Sequence, residues 1–315
     1  MAVFTKLDKE DIVSLLKDYS IGKILSYKGI VEGIENSNYK ITTKKNNYIL
    51  TIFEKRVNPI DLPFFIDLQK HLSMNGFQCP NPIENNSGKI INYIYNKNAV
   101  LISFLEGKQI VDPKPLHCEQ VGRMIGEFFN ITSLFNQNRE NTMGLKNWKE
   151  IFFKFKDVER HKYTNLIDPM QKELIFLESH WPNKLPMGII HADLFKDNIF
   201  FNNDKLTGVI DFYFACSYFK AYELAIATNA WCFDLKNGFI KENFQSLIAG
   251  YNEYFSLTKE EKNNFNTLLR GAAIRILVTR MHDSIFHDEK AIIVPKNPDE
   301  YFSILKWHQE NSIFD

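Results

Sequence analysis

The stretch HADLFKDNIFF, His191 to Phe201, sets an aspartate, a lysine and an Asp-Asn pair directly ahead of an apolar β-type run. Polar residues packed this densely against a strand build a poor core and a good active-site floor. Reading on through NNDKLTGVIDFYFA, two short apolar runs, 199–201 and 206–210, flank the turn-like segment 202–205. They read as a β-hairpin, with Asn198 just before its first strand and Asp211 just after its second. Antiparallel pairing would bring those two ends together. An amide oxygen and a carboxylate are hard ligands that suit Mg²⁺. Asp193, five residues before Asn198, would lie in the loop beside them, free to meet a substrate hydroxyl. One aspartate before an apolar run is ordinarily a cap or turn residue. Three such groups around a strand–turn–strand match phosphoryl transfer instead: a base-like aspartate, then an asparagine and an aspartate for metal.

Around this stretch the chain falls into two textures. Up to about residue 105 it predicts a helix over 8–19 and strands at 23–30, 39–43 and 48–53. A helix over 61–74 stops at Gly76, and further strands follow at 90–95 and 99–105. Beyond Glu106-Gly107, helical patterns dominate: 115–132, 145–163, 170–181 and most of the chain from 221 on. The organisation expected is a nucleotide-binding lobe over 1–105 and a catalytic and substrate-binding lobe over 106–315, with a ligand cleft between them.

The 315 residues carry 38 basic and 38 acidic side chains, which argues against a nucleic-acid surface. No stretch is apolar enough to span a bilayer and no signal peptide opens the chain. Cys79, Cys118, Cys216 and Cys232 form no C-x-x-C pair; with no disulfide framework or zinc knuckle indicated, they fit a reducing cytoplasm.

HADLFKDN resembles the H-x-D-x4-N catalytic loop of protein kinases, followed by the metal-binding aspartate. With alanine at the second position and no activation segment, it is similar to the small-molecule phosphotransferases typified by aminoglycoside phosphotransferase and choline kinase. EGIENSNY (residues 32–39), VIDFYFAC (209–216) and GAAIRILVTRMHD (271–283) resemble the homoserine kinases of that superfamily. The resemblance implies an α+β, protein-kinase-like, two-lobed fold, with a small antiparallel β-rich N-lobe and a larger, mostly helical C-lobe. It also implies ATP and Mg²⁺ as co-substrate and cofactor, and L-homoserine as acceptor. Asp193 would be the catalytic base, and Asn198 and Asp211 the metal ligands.

By the same resemblance, GIVEGIENSNYKI takes the place of the phosphate loop, with Gly33, Asn36, Ser37 and Asn38 as nucleotide contacts. By itself it reads as a β-turn. VLISFLEG fits a strand ending in a hinge, where Ser103 to Leu105 would offer backbone groups to adenine; otherwise it is a plain edge strand. One departure stands out. The phosphate-binding lysine of kinases falls on Thr51, and the next helix has no glutamate to pair with it. Phosphate neutralisation would pass to Mg²⁺, loop N–H groups, and Lys40 or Lys55.

Acidic and basic residues nearly balance after Phe212, which does not suit a polycationic aminoglycoside. A zwitterion such as homoserine asks for a guanidinium. Arg275 and Arg280, on an otherwise apolar helix, are the substrate-binding candidates; the alternative is structural pairing, such as Arg280 with Asp283. Glu223 reads as a brace for the catalytic loop and His191 as structural. Other acceptors (choline, an aminoglycoside, methylthioribose) and a nucleotide-binding pseudokinase are the competing readings.

Overall fold

The computed structural model describes residues 4–30, 36–54, 57–159, 161–234, 238–287 and 295–314. Gly33 and Lys55 lie outside the described residues. The chain groups into two compact units, one holding the described residues up to Glu106 together with Gly208–Tyr213, the other the remainder.

The first unit begins with α1 (Lys9–Leu16). Asp8 accepts the Asp11 N–H at 2.9 Å and the Asp11 carboxylate accepts the Asp8 N–H at 3.0 Å. Two orphan donors are thereby satisfied reciprocally. The helix stops at Leu16, short of the expected residue 19, because the polar Lys17-Asp18 step passes into a turn. Tyr19 is still buried there. Strands β1 (Ile24–Ile30), β2 (Ser37–Thr43) and β3 (Asn47–Ile52) lead to α2 (Leu62–Met74), then β4 (Ile91–Ile94) and β5 (Lys97–Ser103). They form one antiparallel sheet in the order β1-β2-β3-β5-β4. The β4–β5 turn places Tyr95 and Asn96 at φ 48° and 60°, the twist a tight hairpin needs. Along β2, alternate residues are buried. Tyr39 and Ile41 join Leu50, Ile52 and Leu101 and the α1 residues Ile12 and Leu16 in one apolar cluster. By the period of two, Asn38 and Lys40 fall on the opposite face, where Asn38 pairs with Thr51 across the strands.

The second unit runs from β6 (Lys108–Gln109) through α3 (Pro115–Thr132), α4 (Leu145–Phe155) and α5 (Thr164–His180) to β7 (Met187–Ile190). Next come β8 (Ile199–Asn202), β9 (Lys205–Val209, whose last two residues group with the first unit), β10 (Cys216–Phe219), α6 (Lys220–Trp231), β11 (Phe233–Asp234) and β12 (Gly238–Phe239). Helices α7 (Lys241–Tyr251), α8 (Lys259–Ile285) and α9 (Asp299–Glu310) complete it. The helix expected over 145–163 ends at Phe155, and the next starts at Thr164, ahead of the expected 170. Pro169 lies inside α5 and forfeits one helical bond. The helix runs through it because Leu166, Met170, Leu174 and Leu177 bury one continuous face. Helices α3 and α7 touch backbone to backbone: a Cβ on Gly122 would lie 1.9 Å from the Leu247 carbonyl oxygen, and one on Gly250 1.9 Å from that of Glu119. Among the described residues no helix is long and apolar enough to cross a membrane.

Two features serve the site. The β8–β9 hairpin forms as read, its turn residues Asn203 and Asp204 at φ 48° and 61°. Antiparallel β7 and β10 pair Ile190 with Cys216. This fixes the chain entering His191 beside the chain entering α6, a helix whose residues from Ala221 to Trp231 are all buried.

Candidate active site

Between β7 and β8 the chain runs as a loop that ends in a short 3₁₀ turn over Lys196–Asn198, and several of its polar groups are hydrogen-bonded. The Asp193 N–H donates to His191 Nδ1 at 3.2 Å. The Asp193 carbonyl accepts the Phe195 N–H at 2.8 Å and Asn198 Nδ2 at 2.9 Å. The same Nδ2 donates to Asp193 Oδ2 at 2.7 Å. Trp231 Nε1, at the end of α6, holds the Leu194 carbonyl at 2.9 Å, and Lys296 pairs with Asp197 at 2.8 Å. Part of the polar cluster ahead of the apolar run is thus bonded within its own loop, and the Asp193 side chain is half-buried.

Ala192 has φ 64°, a left-handed conformation that a residue with a Cβ adopts at a cost of about 1–3 kcal/mol. Its N–H is taken by both oxygens of Glu223, at 3.2 and 2.9 Å. Arg275 Nη1 donates to its carbonyl at 2.6 Å. Glu223 braces the loop, as its place in the sequence suggests. Burial pushes its carboxyl up to about 7, against the opposing pull of the Ala192 and His191 backbone and the Arg275 charge.

Asp211 groups with the first unit, where the Val209 N–H bonds the Gln78 carbonyl at 2.9 Å. The ring of Tyr213 packs edge-on against Phe53 and Phe65, with centroids 5.0 and 5.7 Å away. Burial drives the Tyr213 phenol strongly up, and the Asp211 charge adds to the shift. Asp211 is itself left-handed, at φ 68°. Among the described residues the other non-glycine positive φ values are the two hairpin turns. The two strained positions outside turns are therefore the residue before Asp193 and Asp211 itself.

With its Nδ2 turned to Asp193, Asn198 keeps an amide oxygen, and Asp211 carries a carboxylate; each by itself is the kind of hard oxygen donor that Mg²⁺ accepts. Among the described residues no three His, Cys, Asp or Glu side chains form a metal cage. An ion held largely by phosphate and water needs none.

The phosphate-loop candidates are already engaged. Ser37 is fully buried; its Oγ donates to Glu54 at 2.7 Å and accepts the Thr5 N–H at 2.9 Å. Asn36 Oδ1 accepts the Glu54 N–H at 3.4 Å, and Asn38 Oδ1 accepts the Thr51 hydroxyl at 2.8 Å. Lys97 closes this network with a short ion pair to Glu54. Burial alone would raise the Glu54 carboxyl, but hydrogen bonds from Lys97, Thr5 and Ser37 hold it below the usual range. At the hinge the Ser103 N–H is bonded to Asn81 at 2.9 Å and the Phe104 N–H to Asn47 at 3.2 Å. The Leu105 N–H makes no hydrogen bond among the described residues. Lys40 lies with its Nζ 4.2 Å from the centre of the Phe104 ring.

The two arginines also have protein partners. Arg280 donates to Glu300 at 2.6 Å and to the Asn297 carbonyl at 2.8 Å, so its carboxylate partner is Glu300 rather than Asp283. Arg275 is 3% exposed. A substrate carboxylate would have to share either group.

The model of the phosphotransferase enzyme family matches residues 26–255. Among curated proteins, the chain is 40% identical over 309 residues to a homoserine kinase of Sinorhizobium medicae, covering 98% of this chain and 95% of the relative. It is 42% identical to one of Zymomonas mobilis, covering 99% and 98%. The fold is similar to that of an amicoumacin kinase solved with AMP-PNP and Ca²⁺, at TM-score 0.74 and 14% identity, over 98% of this chain and 96% of that one. A spectinomycin phosphotransferase with ADP and spectinomycin matches at TM-score 0.70 and 14% identity, over 96% and 95%. The fold is thus the α+β, protein-kinase-like one that the catalytic stretch implied.

Proposed function

We propose, for a chain that belongs to the phosphotransferase enzyme family, that it transfers the γ-phosphoryl group of ATP to the hydroxyl of L-homoserine. The products are ADP and O-phospho-L-homoserine. The observation that carries the acceptor is the match to relatives named homoserine kinase over nearly the whole of both chains. Structural relatives holding AMP-PNP or ADP support an adenine nucleotide as donor.

In this reading the homoserine oxygen attacks the γ-phosphorus in line. A new P–O bond forms and the bond to the ADP oxygen breaks. The hydroxyl proton passes to the Asp193 carboxylate, which Asn198 holds in one orientation. No intermediate on the protein is invoked. Asn198 and Asp211 would hold Mg²⁺, which would neutralise charge on the phosphate oxygens. Leu105 is the hinge residue whose N–H would meet adenine.

Thr51, in place of the strand lysine, favours a second reading: a nucleotide binder without turnover. The Asp193–Asn198 pair favours catalysis. Measuring ADP release with ATP, Mg²⁺ and a panel of L-homoserine, choline, kanamycin and methylthioribose separates the two. Homoserine should support the highest kcat/KM. A preference for choline would replace the acceptor and leave the phosphotransferase chemistry. No stimulation of ADP release by any acceptor would leave the nucleotide binder.

A further inference from the structure

Arg275 sits on α8, far in sequence from the catalytic loop, yet its Nη1 reaches the Ala192 carbonyl at 2.6 Å. That carbonyl belongs to the peptide plane joining Ala192 to Asp193. The N–H of the same plane is held by His191 Nδ1 at 3.2 Å. The preceding plane, joining His191 to Ala192, is held at its N–H by Glu223. Both planes on either side of the left-handed Ala192 are therefore pinned by side chains, from α6 on one side and α8 on the other. An alanine gives little of its own to maintain φ 64°, so the conformation depends on these external bonds.

We propose that Arg275 is a positioning residue, forming with Glu223 a two-sided clamp on Ala192 that aims the Asp193 carboxylate. It acts on turnover and not on acceptor affinity. The buried guanidinium is chemically suited to this. It lies 5.6 Å from the Phe214 ring centre, and its charge favours the ionised form of Glu223. A rotation of about 20° in the Ala192–Asp193 plane would swing the carboxylate by about 1 Å, a displacement that can lower turnover about 10²-fold.

The clamp rests on the assignment of Asp193 as base, and its test separates it from the choice of acceptor. Arg275→Lys keeps a buried positive charge but cannot reproduce the fixed guanidinium geometry. Its kcat with homoserine should fall about 10- to 100-fold, with KM for homoserine and for ATP within about threefold. Glu223→Gln should move the same constants in the same direction, and the double variant should lose less than the product of the two. Backbone amide exchange in the peptide covering residues 191–195 should speed up in each single variant. A rise in the homoserine KM at unchanged kcat would make Arg275 a substrate anchor and overturn the clamp. Unchanged exchange in that peptide would overturn it too, and this readout decides even if wild-type protein does not use homoserine. If Arg275→Lys does not fold, the exchange and kcat of Glu223→Gln decide in the same way.

Discussion

Replacing Asp193 by asparagine separates the two jobs that the carboxylate is assigned, because the structure gives them different magnitudes. The first job is local. Asn198 Nδ2 donates to Asp193 Oδ2 at 2.7 Å and to the Asp193 carbonyl at 2.9 Å. An asparagine can turn its amide oxygen toward that donor, so the bond survives as a neutral one. A hydrogen bond to a charged group contributes about 1.5–3 kcal/mol and a neutral one about 0.5–1.5, so the expected loss of stability is about 1 kcal/mol. In a chain this long that amounts to a melting shift of a few degrees. The second job is chemical. An amide cannot accept the hydroxyl proton, and loss of a positioned base slows reactions by about 10²–10⁴. This corresponds to about 3–5 kcal/mol of barrier. The barrier effect exceeds the structural one by several-fold, so Asp193→Asn should melt near wild type, bind ATP nearly unchanged and turn over at least about 100 times more slowly. Coupled measurement of ADP release, calorimetric titration with Mg-ATP and a thermal melt provide the three readouts. Turnover within a few-fold of wild type would remove Asp193 from the chemistry. A fall in turnover matched by an equal fall in ATP affinity would make it a nucleotide-site residue instead.

Asp211→Ala should abolish the magnesium dependence of nucleotide binding, since it removes the carboxylate assigned to the metal; a variant that keeps the wild-type magnesium dependence would refute that role. Arg270 holds Glu173 through two bonds of 2.7 Å, and Glu173 is 2% exposed. Arg270→Ala should therefore lower unfolding free energy by about 3–5 kcal/mol, the usual result of stranding a buried charge; a change below about 1 kcal/mol in urea unfolding would contradict it. Burial first, then the Arg270 charge, holds the His308 imidazole down to about 3. The unfolded chain takes up that proton near pH 6.5 while the folded one does not, so stability is full above about pH 6.5 and falls as pH drops toward 3. In His308→Gln that acid slope should shrink by up to about 1.4 kcal/mol per pH unit; parallel curves for the two proteins would refute the assignment.

What is legible in the sequence is what neighbouring residues decide among themselves. The alternation along β2, the Asn203-Asp204 turn and the five-residue reach from Asp193 to Asn198 are all short-range, and each is visible in the letters. What stays hidden depends on partners brought in from a distance. Nothing in an alanine announces a positive φ; Ala192 adopts one because Glu223 and Arg275, 31 and 83 residues away, hold its two peptide planes. Ser37 has the chemistry of a phosphate donor, yet its hydroxyl is taken by Glu54 and by the backbone of Thr5, 32 residues away. The Glu54–Lys97 pair that organises this corner has no sequence signature, because its members are 43 residues apart. Arg275 reads from its helix as a buried guanidinium that must have an oxygen partner; the letters do not say whether that oxygen belongs to a ligand or to the loop. A polar residue on an apolar helix thus reports that a demand exists, while only the fold says who meets it. In this chain the demand is met at the residue next to the candidate base, which is why a substitution on α8 is expected to change turnover without touching the substrate.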